Sequence, residues 1–169
     1  PFIFTHQGAT WVFPEMADLR DVPFPYAVDS MPPFPPSLIG KWVEGSFNNY
    51  SNEGNTTVMG QRLDVVQQFA QSRNVPVFCG EFGVYIPNSQ NDDRVRWYET
   101  TQQLLAARNL SWTIWDYKGG FGIFEPGGND LFDHDLNTGI IQALGLQVPP
   151  QTPYVVQPDS SGLFIYRDF

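Results

Sequence analysis

Residues Val75–Tyr85 read VPVFCGEFGVY. The short apolar run from Val75 to Gly80 predicts a β-branched strand, buried on both faces. One acid, Glu81, follows it directly. A carboxylate at the end of a buried strand is costly unless it is paired, hydrated or used. In α/β folds, groups at the carboxyl ends of parallel strands face the active site. Glu81 therefore reads either as a chemical group or as a turn residue paired with Lys118 or an arginine, and position alone does not choose.

The flanking segments supply the frame. Upstream, TTVMGQRLDVVQQFAQSRN repeats Met59, Leu63, Val66 and Ala70 at helical spacing, with Thr56 or Thr57 as N-cap and Asn74 as the stop. Downstream, Asp92 and Asp93 suit the positive end of a helix that runs to Asn109 and places Val95, Tyr98, Leu105 and Arg108 near one face. Ser111–Trp115 is the next strand, and a short helix, about Thr138 to Leu144, follows a glycine-rich loop. Alternating strands and helices imply parallel strands joined by crossovers. Trp115 then stands at the end of its strand as Glu81 stands at the end of the other, so the two are expected on one rim. A carboxylate beside an indole is the pairing that sugar hydrolysis uses: the carboxylate attacks the anomeric carbon or activates water, and the ring stacks on the sugar.

Residues 1–57 are dense in proline, glycine, asparagine and aromatics and read as a long ordered loop, with Phe2–Phe4 as the end of a strand. Two or three strands cannot close a barrel, and parallel strands left alone have unpaired edges. The chain thus reads as part of a fold. Its first residue is Pro1, and no signal peptide precedes PFIFTHQG, so it is expected to begin inside a longer one.

Composition narrows the function. The 169 residues are 41% hydrophobic and 15% aromatic, enough for one globular core. A net charge of −9 repels phosphate backbones, which argues against nucleic acid. No run of eighteen apolar residues is present to span a membrane. One cysteine, Cys79, and two histidines make a zinc site improbable. The acidic loop GGNDLFDHDLN, with Asp130, Asp133, His134 and Asp135, could hold calcium but lacks the EF-hand spacing. A solvated loop capping the last helix is the preferred reading. No cofactor is expected. Sequons begin at Asn49, Asn55 and Asn109 and matter only in a eukaryotic source.

Three segments in order, GEFG after an apolar strand, then R-x-R-W-Y, then SWTIWDYKGGFGIF, resemble the C-terminal part of glycoside hydrolase family 5, the endoglucanase-type cellulases. The likeness covers about Pro1 to Leu144, with PFIFTHQGATW resembling the segment after the sixth barrel strand. It implies an α/β fold: the C-terminal portion, about strands 6–8 and their helices, of a (β/α)8 barrel that is incomplete in this chain. Residues 1–149 would belong to the barrel and 150–169 to an extended tail or linker edge. The resemblance implies that Glu81 is the nucleophile of a retaining β-glycosidase, that Trp115 is a sugar platform and that Lys118 donates to sugar hydroxyls. For Lys118, a solvated lysine that tunes Glu81 weighs equally. Trp11 and His6 lie near such a rim. Core packing of Trp11 weighs equally with substrate contact, and His6 is read more as a structural hydrogen-bonder. Phe121 and Phe124 are read as loop packing.

The family's acid/base motif, Asn-Glu-Pro, is absent. Glu15, Glu44, Glu53, Glu99 and Glu125 follow no strand, so the chain alone is expected not to turn over substrate. The partners implied are a β-glucan polysaccharide and either a complementary N-terminal barrel half or self-association. The location implied is secreted or periplasmic. The rival readings are a non-catalytic carbohydrate-binding or assembly module and a β-mannanase-type hydrolase.

Overall fold

The computed structural model describes residues 1–158 and 164–168, the side chains only as far as residue 155. The sequon-bearing and proline-rich first third is more structured than its composition predicts. Phe2–Thr5 is a short helix (α1), not a strand end. Three 3₁₀ turns follow at Pro14–Asp18, Val28–Ser30 and Pro36–Leu38, then helices α2 (Trp42–Asn48) and α3 (Tyr50–Glu53). Proline favours the first position of such turns, where its missing N–H is no loss, so a proline-rich stretch folds into short turns rather than open loop. The aromatics find the cover they need. Phe4 and Phe24 are buried and pack at 5.4 Å, and buried Tyr50 donates its hydroxyl to the Pro23 carbonyl at 2.6 Å.

Helix α4 (Thr56–Arg73) is capped by Asn55, one residue before the first predicted cap. The Asn55 carboxamide oxygen accepts the Val58 N–H, and a threonine inside the first turn has no such role left. Asn74 ends the helix in the left-handed conformation at φ 50°, which asparagine tolerates better than most residues. Met59, Leu63 and Val66 lie half-buried against the core.

The β–α–β unit that decides the fold comes next. Strand β1 (Phe78–Cys79) pairs in parallel with β2 (Ser111–Trp112), in register Phe78 with Ser111 and Cys79 with Trp112. Helix α5 (Asn91–Ala106) crosses between them and buries Arg94, Trp97, Tyr98, Thr101 and Leu105. Both strands are shorter than their apolar runs predict. Pairing continues beyond the regular ladder, with Thr113 N–H donating to the Cys79 carbonyl at 3.0 Å and Trp115 N–H to the Phe82 carbonyl at 2.9 Å. Cys79 and Trp112 face the helices, whereas Phe78 is 58% exposed on the opposite face.

Helix α6 (Thr138–Ala143) sits against α5. Asn137 caps it by accepting the Ile140 N–H, and the Asn137 amide donates to Asn91 at 2.7 Å. Asn91 Oδ1 also accepts from Arg94, so the first turn of α5 and the cap of α6 share one acceptor. The acidic loop folds around Asp135, whose carboxylate accepts from Asn129 N, Leu131 N and the Tyr154 hydroxyl. It is therefore organised by its own backbone, and the cap of the last helix is Asn137.

Beyond it the chain stays in contact with this loop. Thr152 N–H donates to the Asp133 carbonyl, and Leu136 N–H donates to Gln151. Tyr154–Pro158 (β3) then pairs antiparallel with Phe164–Asp168 (β4). The parts of the predicted tail at 159–163 and 169 lie outside the described residues. Among the described residues, no helix is long and apolar enough to cross a membrane.

Candidate active site

The chain leaves β1 through Gly80 and turns outward at Glu81, whose side chain is exposed. The next residue, Phe82, goes the other way and packs edge-on to Trp112 at 5.4 Å and against Trp97 and Tyr98. That anchor fixes where Glu81 points. Gly83 follows, and a Cβ there would stand 2.0 Å from the Trp115 carbonyl oxygen. Only glycine lets the end of β1 approach this closely. The close approach, with the Trp115 N–H bond to Phe82, sets Trp115 beside Glu81. The Trp115–Asp116 peptide bond is cis.

Glu81 and Trp115 line one cleft of about 630 Å³, together with Phe82, Gly83, His6, Trp11 and Phe121. Four of the five predicted site residues are therefore brought together. The fifth, Lys118, is not among the lining residues; its ammonium lies 5.7 Å from the Phe124 ring centre. Phe121 belongs to the cleft wall rather than to loop packing alone. It was missed because its place depends on ring contacts with His6 and Trp11, both at 6.0 Å, between segments far apart in sequence. Phe124 is buried in a smaller apolar cluster with Ile123, Leu136 and Ile141.

His6 is tied down on one side and open on the other. Its Nδ1 is 2.8 Å from the Thr5 hydroxyl, and its ring stacks on Phe2 at 4.5 Å. Burial pushes its pKa below the ordinary imidazole value. The ring is therefore neutral at pH 7 and can donate or accept toward the cleft. Trp11 is 57% exposed and Trp115 49%, so both keep an apolar face open to a ligand. Asp116 turns away, with one carboxylate oxygen buried and unpartnered among the described residues; burial pushes its pKa up.

No salt bridge to Glu81 is found among the described residues. Among the described residues, no second carboxylate lines the cleft. No group of three or more His, Cys, Asp or Glu side chains is arranged to hold a metal there or elsewhere among those residues.

A model of the cellulase family, glycosyl hydrolase family 5, matches residues 36–120, half of the chain. This chain belongs to glycosyl hydrolase family 5. As a family 5 chain it is 28% identical over 151 residues to Endoglucanase 3 of Fibrobacter succinogenes, covering 86% of itself and 22% of that protein. It is 29% identical over 118 residues to Endoglucanase C of Acetivibrio thermocellus, covering 70% and 34%. The chain thus spans about a fifth to a third of the length of these curated relatives. A hyperthermophilic endo-β-1,4-glucanase, solved with its substrate, superposes with a TM-score of 0.58 at 26% identity over 86% of this chain and 36% of that one. Endoglucanase Cel5A of Thermotoga maritima gives 0.59 at 20%, a likeness of fold. The family 5 chain is a C-terminal portion of a (β/α)8 barrel, and Glu81 and Trp115 follow the two strands of the one parallel pair among the described residues.

Proposed function

We propose that this chain carries the nucleophile half of a retaining β-glycosidase acting on β-1,4-glucan. Glu81 attacks the anomeric carbon, and Trp115 stacks under the ring being cleaved. Trp11 and His6 hold the neighbouring part of the chain, the first by ring stacking and the second by a hydrogen bond from a neutral imidazole. Lys118 would reach sugar hydroxyls only by swinging away from Phe124. The observation that carries this reading is one exposed carboxylate and two exposed indoles lining a single cleft. Aromatic faces match the apolar faces of a pyranose, and an unpaired carboxylate keeps its lone pairs free for attack.

A retaining mechanism needs a second carboxyl about 5–5.5 Å from the first. None lines the cleft among the described residues, so the acid/base belongs to the N-terminal part of the barrel. In the complete site that acid protonates the glycosidic oxygen as Glu81 forms the glycosyl ester, and water then releases the sugar with configuration retained. An extracellular or periplasmic location goes with this reading, because a glucan polymer cannot enter a cell.

The test is turnover of a soluble β-1,4-glucan by the chain alone, by the chain with the N-terminal barrel portion, and by Glu81→Gln in the same mixture. The expected result is no turnover alone, turnover in the mixture, and a loss of about 10⁴-fold or more in the variant. Unchanged turnover in the variant would sink the assignment. The missing second carboxyl also favours one rival, a module that binds glucan without cleaving it. Binding with no turnover even in the mixture would select that rival. A matched β-1,4-mannan assay separates the mannanase reading.

A further inference from the structure

We propose that Tyr85 is a positioning residue: it fixes the angle of the Trp11 indole over the cleft and so sets affinity for a β-linked glucose chain. The affinity half of this rests on the glucan reading above. Tyr85 stands behind the cleft wall rather than in it, where three segments meet. Its own N–H donates to the Thr5 carbonyl at 2.9 Å, which ties it to the segment carrying His6 and Trp11. The following Ile86 N–H donates to the Gly120 carbonyl at 2.7 Å, which ties it to the glycine-rich loop carrying Phe121. Its ring meets Trp11 edge to face at 4.7 Å and 90°, closer than Phe121 at 6.0 Å or His6 at 6.5 Å. It also packs on Phe121 at 5.3 Å.

An exposed indole hops between rotamers unless something holds it, and ordering it on ligand binding costs affinity. Tyr85 is the closest ring holding Trp11. Space for that ring is left by Gly120, where a Cβ would stand 2.4 Å from Tyr85 Cε2. The tyrosine hydroxyl has no hydrogen-bond partner among the described residues, so the ring and not the hydroxyl is the working part.

Calorimetric binding of cellotetraose is compared in the 169-residue chain and in Y85F, Y85L and G120A. The Trp11 indole N–H resonance, assigned by its loss in W11F, is followed in the same proteins, with thermal unfolding as the folding control. Y85F should bind within about twofold of the parent and leave the resonance in place. Y85L should bind about 2- to 12-fold more weakly, the range that an aromatic pair corresponds to, and should shift and mobilise the Trp11 resonance. G120A should do the same, because it displaces the ring without removing it. A Trp11 resonance unmoved in folded Y85L or G120A overturns the positioning role, as does Y85F behaving like Y85L. A parent chain that binds no cellotetraose overturns the affinity half, while the resonance still decides the positioning and turnover in the mixture still decides the glucan reading.

Discussion

Glu81 stands out in the sequence because a charge interrupts an apolar run, and Trp115 because it ends the next one. Both follow from strand geometry, which needs only local pattern. Lys118 carries no such constraint: a long exposed side chain in a glycine-rich loop can point in many directions, and here it lies over Phe124. His6 is legible as a polar residue near the rim, but its burial is not. That burial has a pH consequence. The folded ring resists a proton that the unfolded chain accepts near pH 6.5, so the stability it contributes is complete above about 6.5 and is lost as pH falls toward the lowered folded value. Thermal unfolding midpoints measured from pH 7.5 down to 5 should fall more steeply in the parent chain than in His6→Gln. Parallel curves would contradict this.

Helix existence is readable from periodicity, and helix starts are not. Thr56 and Thr57 are good caps by type, yet Asn55 takes the role because its oxygen reaches the Val58 N–H. The short helices α2 and α3 escape notice because prolines and asparagines dominate their neighbourhood, and packing of Val43 and Tyr50 into the core is what holds them. The cap of α6 was readable as Asn137; its second bond, to Asn91 on α5, was not. Asn137 is buried, so removing it costs a cap and leaves polar groups unpaired. Asn137→Ala is expected to lower stability by about 1–3 kcal/mol in urea unfolding. A change below about 0.5 kcal/mol would mean that the Asn91 contact carries nothing.

Across the molecule, the two-strand ladder leaves one face uncovered among the described residues. Phe78 is exposed there, along with Ser111 and Thr113 from the neighbouring strand. The sequence carries this as a strand run apolar on both faces, which only a larger sheet would bury. The chain on its own is expected to self-associate, and the N-terminal barrel portion is expected to convert it to a one-to-one complex. Sedimentation of the chain alone, then of the mixture, checks this; a stable monomer alone at tens of micromolar would contradict it.

The crossover through α5 has a kinetic side. The loop that closes when β1 meets β2 is filled largely by one helix, and that helix packs against Phe82 through Trp97 and Tyr98 before any distant segment is needed. Closing a loop already shortened by a helix loses less entropy than closing an open one. The segment bearing Glu81 and Trp115 is therefore the part of this chain best able to organise first, with the proline-rich turns, and Trp11 among them, arriving on a rim that already exists.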